Sequence, residues 1–210
     1  MNQTENKIAE YLIKVKAIKL QPKNPFTWAS GWKSPIYCDN RKTLSYPEIR
    51  TYIKDQLVSL VKEKYPDAEV IAGIATGAIS QGVLVAEELG LPFIYVRSKP
   101  KDHGLENMIE GDLRPHQKVV VIEDLVSTGQ SSLNAVDAIR KDGSTVLGML
   151  AIFSYQLRIA QERMSAADVE LTTLCNYDAI IRHAVATKYI TESEAETLQE
   201  WRKSPETWLQ

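Results

Sequence analysis

From residue 69 onward, short apolar segments alternate with helical segments, and this alternation constrains the fold more than any other feature of the sequence. The apolar segments have the length of buried strands and lie at residues 70–74, 93–96, 119–122, 145–153 and 169–174. Helical segments lie between most of them, at residues 78–89, 129–141 and 157–164. The pattern predicts an α/β fold, a parallel twisted sheet with helices on both faces. Sheets of this kind bind ligands at the carboxyl ends of their strands.

The N-terminal third of the chain follows a different pattern. Residues 5–18 and 46–65 have the periodicity of amphipathic helices, whereas residues 22–41 are too rich in proline and glycine for one regular helix. The apolar stripe of the first predicted helix consists of Ile8, Leu12, Val15 and Ile18. No repeat, low-complexity segment or shift of composition divides the sequence, so we predict one domain over residues 1–210.

Composition and charge restrict the partners and the compartment. The net charge of −2 creates no basic field that would recruit nucleic acid or an anionic membrane, so we expect neither partner. An anion must then be bound by a local site. Cys38 and Cys175 fit no zinc or redox spacing, the N-terminus has no signal-peptide core, and no apolar stretch approaches the roughly 20 residues of a membrane span. These features predict a cytoplasmic protein with reduced cysteines.

The most informative segment is VVVIEDLVSTGQSS, residues 119–132. Four apolar strand residues precede two adjacent acids, Glu123 and Asp124, and a turn rich in hydroxyl groups then begins the next helix. A helix N-terminus presents unpaired backbone N–H groups and a positive dipole end, so it attracts phosphate. Gly129 lets the backbone approach such an anion closely. Carboxylates beside it would repel phosphate unless they bind something else, and a sugar diol suits them.

Each of these features also has an ordinary structural explanation. Serine or threonine before a helix is a common N-cap that binds nothing, and acids at a strand end are often surface residues. The segment contains neither the Gly-Lys-Ser/Thr of a Walker loop nor the G-x-G-x-x-G spacing of a dinucleotide site. It is the combination of strand, acid pair and Thr-Gly turn that is specific.

This combination resembles the phosphoribosyl pyrophosphate signature of the type I phosphoribosyltransferases. The resemblance implies that Glu123 and Asp124 bind the ribose 2′- and 3′-hydroxyls, that residues 127–131 wrap the 5-phosphate, and that Asp124 is one of the catalytic residues. After the two acids, the residues that it places against this substrate are Leu125, Val126, Ser127, Thr128, Gly129, Gln130 and Ser131.

A second loop, RSKPKDHGLENMIEG at residues 97–111, is rich in cations and follows another predicted strand. Most charged loops are simply solvated, but this one leaves the sheet at the edge where ligands bind. Its Lys-Asp-His-Gly run resembles the mobile catalytic loop of the orotate phosphoribosyltransferases. The resemblance implies that the loop binds pyrophosphate, with Lys101 and His103 as catalytic residues. The cations concerned are Arg97, Lys99, Lys101 and His103, and some family members have a lysine at the position of Ser98.

Three further segments resemble parts of the same family. The SG-x-KSP run at residues 30–35 resembles its hood, which implies that residues 1–45 cover the base site and that Lys33 faces the substrate; packing of nearby aromatic residues over the core is the alternative. Residues 73–80, GIATGAIS, resemble its pyrophosphate loop, with Gly77 where some relatives have a lysine. In some relatives an arginine near the position of Gln156 contacts the base; here Arg158 is the nearest cation, and the resemblance does not assign it this role, so the residue that reads the orotate carboxylate is not identified.

The resemblance implies transfer of ribose 5-phosphate from phosphoribosyl pyrophosphate to orotate, giving orotidine 5′-monophosphate and pyrophosphate in pyrimidine biosynthesis. It also implies a homodimer with shared active sites, because the loop of the family reaches into the neighbouring site. Mg²⁺ is the expected cofactor, held mainly by substrate oxygens, since no carboxylate cage is visible. Two alternatives remain: a phosphoribosyltransferase for another base, and a regulator that binds phosphoribosyl pyrophosphate without catalysis.

Overall fold

The computed structural model describes residues 3–28, 31–97 and 108–209. Its helices are α1 (Gln3–Lys14), α2 (Pro47–Lys64), α3 (Ile79–Leu89), α4 (Gln130–Lys141), α5 (Arg158–Ala166), α6 (Tyr177–Ala186) and α7 (Glu192–Lys203), and a 3₁₀ helix spans Asn40–Ser45. Its strands are β1 (Ile18–Leu20), β2 (Phe26–Thr27), β3 (Lys33–Ser34), β4 (Ile36–Cys38), β5 (Val70–Ile74), β6 (Phe93–Val96), β7 (Ile109–Glu110), β8 (Lys118–Val126), β9 (Thr145–Ser154) and β10 (Leu171–Asn176).

Six strands form the central sheet in the order β10–β9–β8–β5–β6–β7. Every neighbouring pair is parallel except β6 and β7, which are antiparallel at one edge. The predicted parallel α/β sheet is therefore confirmed, with an antiparallel edge strand that the sequence did not predict. Two antiparallel strand pairs, β1 with β4 and β2 with β3, lie outside this sheet.

The sheet is buried on both faces, and β8 shows how its sequence achieves this. Side chains alternate across a strand, so Val120 and Ile122 pack into the core that contains apolar residues of α1, α2, α3 and α6. Val119 and Val121 point to the other face and pack with residues of α4 and α5. A continuous apolar run is what a strand covered on both faces requires.

Strand β8 is longer than the sequence predicts, which corrects the placement of the acid pair. The predicted strand ended at residue 122, but pairing with β9 continues from Glu123↔Ala151 to Val126↔Ser154. Glu123 and Asp124 therefore lie within the strand and not after it. Tertiary pairing outweighs the low strand propensity of acidic residues here.

Three other parts of the structure differ from the sequence prediction: the first helix, strand β10 and the two C-terminal helices. The first helix ends at Lys14 and not at residue 18, because Lys16 adopts a positive φ of 55° and Ile18 begins β1. Strand β10 lies two residues further along than predicted, over Leu171–Asn176. Helices α6 and α7 were not predicted. None of the helices in the described part of the chain is long and apolar enough to cross a bilayer.

The order of the strands creates a crevice between β5 and β8. From β5 the chain moves to β6 on one side, whereas β8 pairs with β5 on the other. Open α/β sheets bind ligands at such a switch point, beyond the carboxyl ends of the two strands. The fold therefore predicts a ligand-binding site close to Ile74, at the end of β5, and to the residues around Asp124.

Candidate active site

A cavity of about 340 Å³ opens at this switch point. The loop after β5, the end of β8, the start of α4 and the segment after β4 form its walls. The residues that line it are Cys38, Asp39, Arg41, Ile74, Ala75, Thr76, Gly77, Arg97, Glu123, Asp124, Leu125 and Ser131. Segments that are distant in the sequence thus meet at one edge of the sheet, and the cavity contains charges of both signs.

Several residues predicted from the sequence meet here and others do not. Five of them line the cavity: Arg97, Glu123, Asp124, Leu125 and Ser131. Val126, Ser127, Thr128, Gly129 and Gln130 connect Leu125 to Ser131 and so belong to the same turn. Lys99, Lys101 and His103, like Ser98, lie outside the described residues. Lys33 is not among the residues that line this cavity.

The two acids have different environments. Glu123 is only 4% exposed, and both of its carboxyl oxygens accept hydrogen bonds within the chain. The Ser132 hydroxyl donates to one oxygen at 2.9 Å, and the Asp124 backbone N–H donates to the other at 2.9 Å. Burial, and then the neighbouring Asp124 carboxylate, raise the pKa of Glu123 to about 8. Asp124 is half-buried, so it is the acid with the better access to a ligand.

The turn after β8 has the form of an anion site. Gly129 precedes α4 and adopts a positive φ of 78°, a conformation that favours glycine. Helix α4 begins at Gln130 and has 12 residues, so its dipole and free N–H groups are available at this end. Ser131 in its first turn is exposed and lines the cavity. The turn can therefore present backbone and hydroxyl donors to one phosphate group.

The loop after β5 brings backbone against the Asp124 carboxylate. A Cβ atom on Gly77 would overlap the carboxyl group of Asp124, so only glycine fits this position without movement. The Ala75 N–H donates to the carbonyl of Val96 at 2.8 Å, which ties the loop to the end of β6. The peptide bond between Ala75 and Thr76 is cis. Glycine is required at position 77 because the Asp124 carboxylate lies so close to it, and not because the backbone adopts a positive φ.

The segment after β4 supplies groups that the sequence analysis missed. The Asn40 side-chain amide donates to the backbone carbonyl of Asp124 at 2.5 Å, and so fixes the strand that carries the acid. The Arg41 guanidinium donates to the Asp39 carboxylate at 2.7 Å and lowers the pKa of Asp39. Arg41, whose role could not be predicted from the sequence, is an exposed cation that lines the cavity. The contact between Asn40 and Asp124 spans 84 residues and leaves no local signal in the sequence.

Lys33 occupies a separate position on the β2–β3 hairpin. Its ammonium group donates to the Thr27 hydroxyl at 2.9 Å, and its backbone carbonyl accepts a hydrogen bond of 3.0 Å from the Trp201 indole. Trp28 precedes the hairpin turn and packs edge-on against Trp201, with ring centroids 5.5 Å apart. Helix α7 therefore holds the hairpin that carries Lys33.

A second cavity, of about 1010 Å³, lies beyond the carboxyl ends of β9 and β10. Trp32, Gln156, Asp178 and Arg202 are among the residues that line it. The Arg202 guanidinium lies 3.0 Å from the Asp178 carboxylate and 3.4 Å from the Gln156 side-chain oxygen. Arg158 is the cation nearest to Gln156 in the sequence, and folding places a second arginine, Arg202, beside Gln156 from α7.

Comparison with known proteins agrees with this geometry. The family model for the phosphoribosyl transferase domain matches residues 44–187. An orotate phosphoribosyltransferase of Porphyromonas gingivalis is 62% identical over 201 residues, 96% of each chain. That of Lactococcus lactis subsp. cremoris is 51% identical over 96% of each chain. The solved orotate phosphoribosyltransferase from Aeropyrum pernix superposes with a TM-score of 0.76 at 26% identity, covering 88% of this chain and 99% of that one.

Proposed function

The chain belongs to the orotate phosphoribosyltransferase family, and we propose that the cavity between β5 and β8 binds the phosphoribosyl pyrophosphate of its reaction. The reaction transfers ribose 5-phosphate from phosphoribosyl pyrophosphate to orotate, and it yields orotidine 5′-monophosphate and pyrophosphate. It is a step of pyrimidine biosynthesis. The prediction of this transferase activity from the sequence is confirmed.

One observation carries the proposed binding mode: the Asp124 carboxylate lies in the same cavity as the start of α4. A carboxylate beside an anion-binding helix end suits a molecule with a diol next to a phosphate, because hydroxyl groups donate to the acid while the phosphate accepts from N–H groups. In this arrangement Asp124 accepts from the ribose hydroxyls. Residues 127–131 surround the 5-phosphate, and the pyrophosphate lies toward Gly77 and Arg97.

Glu123 takes a supporting role in this proposal. Its two carboxyl oxygens accept hydrogen bonds from the Ser132 hydroxyl and from the Asp124 N–H, so Glu123 orients the backbone of Asp124. A ribose hydroxyl that reached Glu123 would have to share an oxygen with one of these donors. Asp124 is therefore the first partner of the diol.

The chemistry is substitution at the anomeric carbon of the ribose. Positive charge develops on the ribose ring and negative charge on the departing pyrophosphate, so preorganised charges of opposite sign lower the barrier. In this arrangement Asp124 lies beside the ribose ring, where positive charge develops, and Arg97 lies beside the pyrophosphate, where negative charge develops. We propose that Lys99, Lys101 and His103, which lie outside the described residues, supply further positive charge to the leaving group.

The donor set of the cavity is compatible with Mg²⁺ that is held mainly by the substrate. Within the described residues, no group of three or more His, Cys, Asp or Glu side chains is arranged to hold a metal ion. Mg²⁺ retains several water molecules and commonly binds one or two carboxylates together with substrate phosphates. When bound, it would neutralise pyrophosphate charge, and Asp124 and Asp39 are the acids at the cavity that are positioned to meet its water shell.

We place the base on the side of the β2–β3 hairpin. In this proposal residues 1–45 contribute the cover over the base site within a single domain of 210 residues, and Lys33 faces the base. In this proposal a homodimer completes each site, because Lys99, Lys101 and His103 act on the neighbouring subunit, whereas Arg97 lines the cavity of its own subunit. These assignments rest on the family resemblance of the segments and on the position of the hairpin at the ligand-binding edge.

A panel of bases tests the substrate directly. Purified protein is incubated with phosphoribosyl pyrophosphate, Mg²⁺ and one base at a time, and pyrophosphate release is followed. We expect turnover with orotate and none with adenine, hypoxanthine or guanine. Turnover of a purine without turnover of orotate would contradict the proposed specificity, and binding without any turnover would favour a regulator.

A further inference from the structure

We propose that Arg163 on α5 is a positioning residue that holds the turn at residues 127–131 in the shape that binds the 5-phosphate. The inference rests on the proposed function of this turn. Arg163 does not line the cavity and contacts the turn through the backbone carbonyl of Thr128. Its effect on the substrate would therefore be transmitted through the backbone.

The first observation is a hydrogen bond between Arg163 and the backbone of the turn. The Arg163 Nη1 donates to the carbonyl oxygen of Thr128 at 3.0 Å. In a trans peptide the carbonyl and the following N–H point in opposite directions. By holding this carbonyl toward α5, Arg163 turns the N–H of Gly129 away from α5. A turn that binds an anion needs such an outward N–H.

The second observation is steric and concerns the same peptide. Gly129 has a φ of 78°, and a Cβ atom there would lie 3.2 Å from Met164 Cε and 3.8 Å from Ala160 Cβ. Ala160, Arg163 and Met164 are spaced three and four residues apart, so they lie on one face of α5. That face is the support on which the turn rests. The arginine fixes the orientation of the peptide between Thr128 and Gly129. The side chains of Ala160 and Met164 limit how closely this peptide approaches α5.

Charge makes the contact more than a packing interaction. The guanidinium group is always ionised in proteins, and a hydrogen bond from an ionised donor is about twice as strong as a neutral one. A carbonyl polarised in this way strengthens the N–H of its own peptide as a donor, because linked hydrogen bonds reinforce one another. Arg163 therefore acts on the Gly129 N–H electrostatically as well as sterically.

Helix α5 has a separate anchor, which makes the role of Arg163 testable. Arg140 on α4 donates to the carbonyls of Ala167 and Asp168 at 2.7 and 3.1 Å, at the C-terminal end of α5. Arg140 and Arg163 thus make the same type of bond, arginine to backbone carbonyl: one joins α4 to the residues after α5, and the other joins α5 to the turn before α4. Arg140 makes two such bonds and Arg163 makes one, so loss of Arg140 should cost at least as much stability as loss of Arg163. Only loss of Arg163 should alter the shape of the turn at residues 127–131.

The experiment compares Arg163→Met with Arg140→Met and with the conservative Arg163→Lys. Binding of ribose 5-phosphate is measured by calorimetry, because this probe contains the 5-phosphate and lacks pyrophosphate. Steady-state kinetics then give KM for phosphoribosyl pyrophosphate and for orotate. We expect Arg163→Met to weaken ribose 5-phosphate binding and to raise KM for phosphoribosyl pyrophosphate by about 10- to 100-fold, the range for a hydrogen bond to a charged group. KM for orotate at saturating phosphoribosyl pyrophosphate should stay unchanged, and Arg163→Lys should restore part of the affinity.

Two outcomes overturn the inference. One is an unchanged affinity for ribose 5-phosphate in folded Arg163→Met. The other is a loss no larger than that of Arg140→Met at equal loss of melting temperature, which would mark a purely structural role. Ser131→Asp separates this failure from failure of the proposed function, since an acid in the first turn of α4 suits the helix dipole but repels phosphate. If Ser131→Asp weakens binding and Arg163→Met does not, only the role of Arg163 is wrong. If Ser131→Asp binds normally, the phosphate turn itself is wrong.

Discussion

The Ser132 hydroxyl donates a hydrogen bond of 2.9 Å to the buried carboxyl group of Glu123. Ser132 lies in the first turn of α4 and Glu123 lies in β8, so the bond joins the start of the helix to the strand that carries the acid pair. Both side chains are almost fully buried. The pair is therefore a structural support of the cavity, and the ionisation of Glu123 should be visible in the stability of the fold.

The first prediction is that Glu123 makes folding stability depend on pH. Its pKa rises from an ordinary 4.5 to about 8 in the folded chain. Below pH 4.5 both states carry the proton; between about 4.5 and 8 only the folded state does. The contribution of this group to the free energy of unfolding is therefore complete below pH 4.5 and is lost as pH rises toward 8, by at most about 1.4 kcal/mol per pH unit.

Denaturant titrations of the wild type and of Glu123→Gln, from pH 5 to 9, check this prediction. Glutamine has a similar shape and no proton to lose, so the variant should gain stability relative to the wild type as pH rises to about 8. Above that pH the difference should level off. Parallel curves across the whole range would mean that Glu123 titrates normally.

A second prediction concerns the acid that faces the cavity. Asp124→Asn keeps the shape of the side chain but removes the charge that attracts the ribose hydroxyls. We expect affinity for phosphoribosyl pyrophosphate, measured by calorimetry, to fall about 10- to 100-fold, as for loss of a hydrogen bond to a charged group. Asp137→Asn, at an exposed position of α4, is the matched control and should bind normally. Unchanged affinity in folded Asp124→Asn would remove the proposed role.

A third prediction follows from the contact between Gly77 and Asp124. Gly77→Ala would force the new methyl group against the Asp124 carboxylate and displace it. A misplacement of about 1 Å can cost on the order of 100-fold in rate, so kcat/KM should fall by that order. Gly90→Ala is the control: its φ of 65° is strained for alanine, but the space around it is open. That variant should lose stability and keep its activity; equal activity in Gly77→Ala would contradict the steric argument.

The architecture was largely predictable because it depends on local patterns. Alternating apolar strands and helices predicted the parallel sheet, and residues 70–74 and 93–96 form strands with the predicted bounds. The end of β8 was not predictable, because it is fixed by pairing with β9 from Glu123 to Val126. Acidic residues look like the end of a strand until the neighbouring strand is known.

The candidate site, like the fold, was predictable only where it depends on local sequence patterns. The edge of the sheet and the acid pair follow from the segment at residues 119–132 and from the rule for parallel sheets. Asn40 and Arg163 were missed because each contacts the site across a long sequence separation, 84 residues to Asp124 and 35 residues to Thr128. Arg202 beside Gln156 is a further case. Such contacts are determined by the packing of whole elements, and no local residue pattern marks them.

A fourth prediction tests the cationic loop and the dimer together. If Lys101 stabilises charge on the departing pyrophosphate, Lys101→Ala should lower kcat more than it raises KM, by roughly 100- to 1,000-fold. If the loop serves the neighbouring subunit, mixing Lys101→Ala with Asp124→Asn should restore activity, because a mixed dimer contains one site with an intact lysine and an intact aspartate. Turnover is measured after subunit exchange. Exchanged dimers as inactive as both parents would show that the loop acts within its own subunit.

The last prediction concerns Trp201, which joins α7 to the hairpin that carries Lys33. The Trp201 indole N–H donates to the Lys33 carbonyl at 3.0 Å, and its ring is fully buried against Trp28. Trp201→Phe keeps an aromatic ring and removes the donor. Because the hairpin is proposed to cover the base, KM for orotate should rise by about 2- to 10-fold, the range for one neutral hydrogen bond, while KM for phosphoribosyl pyrophosphate stays unchanged. Trp208→Phe, a partly buried tryptophan packed on the same core, is the matched control. An equal rise of both KM values in Trp201→Phe, or the same rise for orotate in Trp208→Phe, would mean that α7 stabilises the fold without positioning the hairpin.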